Sequence, residues 1–120
     1  MPLRAVRGAV QVDRDERELV LEAATAMVTA VLEKNALTAD DLVSIVFTAT
    51  PDLRSEFPAY AARQMGLTDV PLLCAVEIDV PGAMPRVLRL LAHVETDLPR
   101  SALRHVYLRG AAALRSDLPR

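Results

Sequence analysis

The chain has 120 residues and a mass of 13.1 kDa, which leaves room for one domain, residues 1–120. Hydrophobic residues make up 52% and charged residues 25%, the balance of a globular protein and not of a disordered one. The formal net charge of -2 argues against sequence-independent binding to nucleic acid, which depends on a basic surface. No apolar run approaches the length of a transmembrane helix, so we expect no membrane partner.

The first two predicted elements are a strand and a long helix. Residues 3–12 alternate between the two sides of a strand, one side apolar and the other, which includes Arg7, partly polar. Residues 15–35 carry an apolar stripe at spacings of three and four, which is typical of an amphipathic helix. Asp13 is the predicted N-cap of this helix, with Glu16 at the capping-box position.

The rest of the chain predicts one short helix and four strands. Residues 42–50 are rich in β-branched side chains and predict a largely buried strand. Pro58 suits the first position of a short helix, which Gly66 ends. Turn residues separate the remaining predicted strands, at 72–78, 87–95 and 105–108.

This order of elements indicates an α/β (α+β) fold with a single mixed sheet of about five strands and the helices on one face. Two helices cannot cover both faces of such a sheet, and the strands at 42–50 and 72–78 are apolar on both sides. We therefore expect an oligomer that buries the second face.

Motifs for nucleophilic, phosphate-binding or metal chemistry are missing from the sequence. The four glycines stand alone, His93 and His105 are not at metal-ligand spacing, and no histidine lies near Cys74 in sequence. We expect neither a metal nor a cofactor. The single cysteine excludes an intramolecular disulfide, and residues 1–8 lack the core of a signal peptide, so we expect a soluble cytoplasmic protein.

Charged side chains within the predicted strands are the best candidates for a binding site. Arg7 and Arg89 each lie mid-strand, Glu77 lies near the end of the third strand, and Tyr107 lies in the fifth. Any one of them fits a solvated charge on a polar face. Two arginines on one face of a small sheet indicate a pocket for a small dianionic molecule.

Five segments, spread in order over nearly the whole chain, carry a family resemblance. They are Arg4 to Ala9, Ala49 to Leu53 followed by Phe57 to Ala59, Cys74-x-x-Glu77-x-Asp79-Val80, Arg104 to Leu108, and Leu114-Arg115-x-Asp117-Leu118. Together they resemble the small monofunctional chorismate mutases of the trimeric, pseudo-α/β-barrel type.

The resemblance implies a homotrimer with active sites at the subunit boundaries. It also implies the rearrangement of chorismate to prephenate, on the route to phenylalanine and tyrosine, without a cofactor. The substrate carries two carboxylates, a ring hydroxyl and an ether oxygen that gains negative charge in the transition state.

Roles for individual residues follow from the same resemblance. Arg89 is similar to the cation placed against the ether oxygen, and Glu77 to the acceptor of the ring hydroxyl. Arg7, the third catalytic residue, is similar to the group that holds a carboxylate together with Tyr107. The remaining implied substrate contacts are two apolar walls, Phe57 and Leu114, two cations at the mouth, Arg63 and Arg115, and the segment of Leu73, Cys74, Ala75 and Val76.

Two features depart from the family pattern. Tyr60 stands where members often carry lysine, so one mouth cation is expected to be lost. The chain stops at Arg120, which leaves little tail to fold over the site. Both departures are expected to weaken substrate capture and not the rearrangement.

The spacing of Cys74 and Glu77 has a consequence of its own. Residues three apart in a regular strand point to opposite faces, so one chain that uses both would contribute them to two different sites. Our hypothesis is that one subunit supplies Phe57, Arg63 and Cys74. Its neighbour supplies the second half of the site, Arg7, Glu77, Arg89 and Tyr107.

Two alternatives stay open. An enamine or imine deaminase of the small trimeric type shares the architecture and holds a carboxylate with an arginine, but does not explain Cys74-x-x-Glu77. A trimer that binds a small anion without catalysis would use the same arginines.

Overall fold

A computed structural model gives the fold and describes residues 1–115. The five strands are β1 (Leu3–Gln11), β2 (Leu42–Ala49), β3 (Leu72–Val76), β4 (Val87–Glu95) and β5 (Val106–Leu108). They form one sheet in the order β3-β2-β4-β1-β5. The central strand β4 is antiparallel to β1 and β2, whereas the outer pairs β2/β3 and β1/β5 are parallel. The sheet is therefore mixed, as predicted.

Two α-helices pack against each other and against the same sheet, α1 (Arg17–Lys34) on β1 and β5 and α2 (Pro58–Gln64) on β2 and β3. In the described part of the chain, three 3-10 helices complete the elements, at Ala39–Asp41, Arg100–Ala102 and Arg109–Arg115. Within residues 1–115, no helix has both the length and the apolar character needed to cross a membrane.

The long helix confirms the predicted stripe, because Val20, Ala24, Met27 and Val31 are all buried in the core. The predicted cap is wrong. The helix begins at Arg17 after Glu16, and none of the side chains that the structure describes makes a capping hydrogen bond to it. The acidic side chains before it have other partners: the Asp15 carboxylate accepts from the backbone N–H groups of residues 54 and 55, and the Glu16 carboxylate pairs with Arg14.

The sheet face under the helices is closed and apolar. Val6 and Val10 of β1, Phe47 of β2 and Leu88 of β4 have no exposed surface. Gly8 lies between them, where a Cβ would come within 3.1 Å of the Met27 Cγ, so a larger residue would force the neighbouring side chains to shift by a few tenths of an ångström. We call this surface the helix face.

The opposite surface of the sheet, which we call the open face, carries the alternate side chains of every strand. Leu73 is 61% exposed and Leu91 is 37% exposed, although each lies on a strand. An uncovered apolar face was predicted, and the structure confirms it for a single chain.

The third strand ends at Val76, two residues before its predicted end. The last ladder bond runs from the Glu77 N–H to the Ala49 carbonyl at 2.9 Å, and a turn closed by Val80 and Ile78 follows. Ile78 and Val80 look like strand residues in the sequence, but both are exposed here.

Candidate active site

The open face brings five residues into one row across all five strands. Strand pairing sets Thr48 beside Ala75 and opposite Arg89, and sets Ala9 opposite Arg89 and beside Tyr107. Arg89 therefore lies on the central strand of the sheet, with the small, buried side chain of Ala9 between it and Tyr107.

Arg89, Glu77 and Thr48 form a hydrogen-bonded cluster at the centre of this face. The Arg89 Nε donates to Glu77 Oε1 at 3.2 Å and to Oε2 at 3.1 Å. The Thr48 hydroxyl donates to Glu77 Oε2 at 2.6 Å. The Glu77 side chain is 19% exposed and that of Arg89 is 42% exposed, so the carboxylate lies deeper than the guanidinium.

This cluster has spare donors and one spare acceptor position. A carboxylate offers about four lone pairs, and the three hydrogen bonds above leave about one, on Oε1. Among the described residues, no hydrogen bond is donated by the two terminal nitrogens of Arg89. The pair can thus donate to an anionic oxygen and accept from a hydroxyl of the same small molecule.

Arg7 and Tyr107 flank this centre. Arg7 lies two residues before Ala9 on β1, exposed on the same face, and its backbone N–H donates to His105 Nδ1 at 2.9 Å. Tyr107 is half-buried and packs, with Leu114, on a small cluster formed by Ala9, Val87 and Ala111. The residues predicted as one half of a site therefore lie on the open face, together with Leu114. They are Arg7, Glu77, Arg89 and Tyr107.

The other predicted contacts lie at the edge of the sheet beside α2. A cavity of about 290 Å³ is lined by Phe57, Cys74, Ala75 and Val76 among others, and an adjoining one of about 300 Å³ by Phe57, Arg63, Leu73 and Cys74 among others. Phe57 is 69% exposed. Neither cavity is lined by Arg7, Glu77, Arg89 or Tyr107, so within one chain the two sets of predicted residues do not line a common cavity.

The opposite orientation of Cys74 and Glu77 is confirmed. Cys74 pairs with Phe47 and packs against the core under the helices. Glu77 bonds to Thr48 and Arg89 on the open face. The two residues therefore cannot face one bound molecule from the same chain without rearranging the strand.

An ion pair lies at the β5 edge of the sheet, which we call the rim, in the segment that follows β5. The Arg109 guanidinium donates two hydrogen bonds to the Glu22 carboxylate of α1, at 2.9 and 2.6 Å. The hydrogen bond lowers the pKa of Glu22 and raises that of Arg109. This ion pair ties the end of the Tyr107 strand to the long helix.

Comparison with known proteins decides the family. The family model described as chorismate mutase type I matches residues 3–118. The chain belongs to this family. It is 47% identical to the chorismate mutase AroH of Thermus thermophilus over 117 residues, 97% of this chain and 96% of that protein. It is 39% identical to the chorismate mutase AroH of Bacillus subtilis (strain 168) over 119 residues, 98% and 94% of the two chains.

A solved structure agrees with the fold. The chorismate mutase from Clostridium thermocellum superimposes with a TM-score of 0.91 at 42% identity, over 92% of this chain and 98% of that one. The mixed five-stranded sheet with helices on one face is thus the chorismate mutase type I fold.

Tyr60, which replaces an expected cation at the mouth, has a cation as its neighbour. The Arg17 guanidinium lies over the Tyr60 ring, 5.5 Å from its centroid. The Arg17 Nε also pairs with the Glu56 carboxylate at 2.9 Å. Arg115 ends a 3-10 helix, but its side chain lies outside the described part of the chain. Asp117 and Leu118 of the fifth segment also lie outside the described residues.

Sequence reasoning missed Thr48 altogether. The residue looks like one more β-branched side chain in a buried strand. Only the strand register marks it out, because that register sets Thr48 opposite Arg89 and beside Ala75. Among the described residues, no group of three histidine, cysteine or acidic side chains could hold a metal ion.

Proposed function

We propose that this chain is one domain, residues 1–120, that catalyses the rearrangement of chorismate to prephenate in phenylalanine and tyrosine biosynthesis. The observation that carries the proposal is the Arg89–Glu77 pair at the centre of the open face, in a chain that belongs to the chorismate mutase type I family. The reaction breaks an ether C–O bond and forms a C–C bond within one molecule.

Arg89 supplies the charge stabilisation. The ether oxygen gains negative charge as its bond to carbon breaks, and the terminal nitrogens of Arg89 donate to that oxygen and to a carboxylate. Because Glu77 engages Nε, the guanidinium is oriented before the substrate binds. Donors preorganised in this way contribute about 3 kcal/mol or more to the transition state.

Glu77 and Arg7 bind the ends of the substrate. The remaining lone pair on Glu77 Oε1 accepts from the ring hydroxyl. Arg7 holds one carboxylate through the two-pronged geometry of its guanidinium, with the Tyr107 hydroxyl beside it. These contacts fix the position and orientation of the ring.

The neighbouring subunit completes the pocket. Its Phe57 is an apolar wall, its segment of Leu73, Cys74, Ala75 and Val76 contacts the ring, and its Arg63 attracts the dianion. Leu114 is the second apolar wall, on the side of Tyr107, and Arg115 is the second cation that attracts the dianion. Such a pocket holds the folded conformer from which the new C–C bond forms.

We propose that the assembly is a homotrimer closed into a pseudo-α/β barrel, as the family resemblance implies. The exposed Leu73 and Leu91 on the open face support it, since a partner sheet would remove them from water. The reaction needs neither proton transfer nor redox chemistry, so we propose an enzyme that works without a cofactor. We also propose that it works in the cytoplasm.

Chorismate consumption by the purified protein, followed as loss of chorismate absorbance, tests the proposal. We expect turnover, and a fall of at least about 100-fold in kcat for Arg89→Ala. Arg14→Ala is the matched control, because Arg14 is exposed and pairs only with nearby Glu16 among the described residues. Chorismate bound but unchanged would instead indicate an anion-binding trimer, and hydrolysis of an imine with no effect on chorismate would indicate a deaminase.

A further inference from the structure

We propose that Thr48 is a positioning residue, which sets the orientation of the Glu77 carboxylate and, through it, of the Arg89 guanidinium. The inference rests on the proposed function, since these are the groups that would meet the substrate. It is carried by the short hydrogen bond from the Thr48 hydroxyl to Glu77 Oε2, 2.6 Å long. An O–H···O⁻ bond of this length is charge-assisted and stronger than a bond between neutral groups.

Glu77 needs such a contact because of where it lies. Its backbone makes the last bond of the ladder between β2 and β3, and the chain beyond it turns into exposed residues, with Ile78 87% exposed. A glutamate side chain has several rotatable bonds, so its carboxylate is not fixed by the strand alone.

Arg89 by itself does not distinguish the two oxygens of Glu77. One nitrogen, Nε, lies 3.2 Å from Oε1 and 3.1 Å from Oε2, a nearly symmetric contact. The Thr48 hydroxyl breaks this symmetry because it binds Oε2 alone. Oε1 is thereby left as the oxygen with a free lone pair for a substrate hydroxyl.

Thr48 is well suited to fix its partner. It lies on β2, which is paired on both sides, with Ala75 and Arg89 as its cross-strand neighbours. Its branched Cβ restricts the χ1 angle, so the hydroxyl is directed before Glu77 binds it. Thr48 thus acts on the site through its hydrogen bond to Glu77.

Thr48→Val tests the inference, because valine keeps the shape and removes the hydroxyl. We expect kcat for chorismate to fall about tenfold with KM changed less than about threefold, since a hydrogen bond to a charged group is lost while the binding groups remain. Thr48→Ser restores the hydroxyl and is expected to restore kcat to within about threefold of wild type. Ser44→Ala is the matched control, since it removes a hydroxyl on the same strand and face that contacts His93 and not Glu77.

The Glu77→Ala background separates positioning from a general structural effect. There, Thr48→Val is expected to change kcat less than about twofold, because the group that it orients is absent. An equal tenfold loss in both backgrounds, or wild-type kcat in Thr48→Val alone, would overturn the inference while leaving the proposed function in place.

A measurement without substrate keeps the two proposals distinguishable. The ¹³C resonance of the Glu77 side-chain carboxylate, assigned with Glu77→Gln, is expected to move in Thr48→Val and to stay unchanged in Ser44→Ala. An unmoved resonance in Thr48→Val contradicts the contact itself, whether or not chorismate is turned over. Absence of turnover by the wild type contradicts the proposed function instead.

Discussion

The two faces of the sheet are built from the same strands and have opposite properties. On β1, Val6 and Val10 are fully buried under the helices, whereas Arg7 between them is exposed on the open face. On β2, Phe47 is fully buried and the next residue, Thr48, bonds to Glu77. A single residue step therefore separates positions that stabilise the fold from positions available for association and chemistry.

The first prediction concerns the helix face, where the largest effect on stability is expected. Phe47→Ala removes a fully buried ring and is predicted to lower the free energy of unfolding by about 3–5 kcal/mol. Phe47→Leu keeps most of the volume and should cost about 1.5 kcal/mol or less. Urea unfolding followed by circular dichroism, at one fixed subunit concentration, measures both. A loss below about 1 kcal/mol for Phe47→Ala would contradict the view that this face holds the core.

A substitution on the open face is predicted to weaken the assembly of subunits. Leu91→Asp places a charge at the centre of the surface that we expect a partner subunit to cover. Burying an unpaired charge costs about 3 kcal/mol or more, so the subunit dissociation constant should rise at least about 100-fold. Sedimentation velocity should show a wild-type trimer and a smaller species for the variant. Ala39→Asp, an exposed position before β2, is the control, and equal sedimentation of all three proteins would contradict the prediction.

The Arg109–Glu22 ion pair at the rim should give the smallest effect on stability. The hydrogen bond from Arg109 lowers the pKa of Glu22 below its ordinary value of 4.5, so the charged form is favoured in the folded state. The pair stabilises the fold above that ordinary value, and this stabilisation is lost as the pH falls through the lowered pKa. Both side chains are about half-exposed, so the pair is worth about 0.2–1 kcal/mol. Glu22→Gln should lower the midpoint of thermal unfolding slightly at pH 7 and by progressively less as the pH falls below 4.5, and a loss that does not depend on pH would contradict this assignment.

The helix face could be predicted from the sequence because its signals are local. The alternation of β4 predicts its observed bounds, Val87–Glu95, and the stripe of α1 predicts its buried side. The polar positions of the open face could be predicted too, since Arg7 and Arg89 break apolar alternation in recognisable places.

What could not be predicted depends on contacts between distant parts of the chain. The role of Thr48 follows from the register that brings β2, β3 and β4 together, which no local pattern encodes. The start of α1 was misplaced for a similar reason, because Asp15 binds a loop 39 residues away. The division of the site between subunits stays a prediction, which the residue spacing supports only through the opposite orientation of Cys74 and Glu77.

Whether two subunits share each active site is the central question, and mixing two inactive variants answers it most directly. Phe57→Asp damages one half-site at an exposed position, and Arg89→Ala damages the other. If the halves come from different subunits, trimers reassembled from an equal mixture should recover about a quarter of wild-type kcat, since each half is intact with a probability of about one half. If each chain builds its own site, every site in the mixture carries one lesion. Activity no higher than that of the two separate variants would contradict the account.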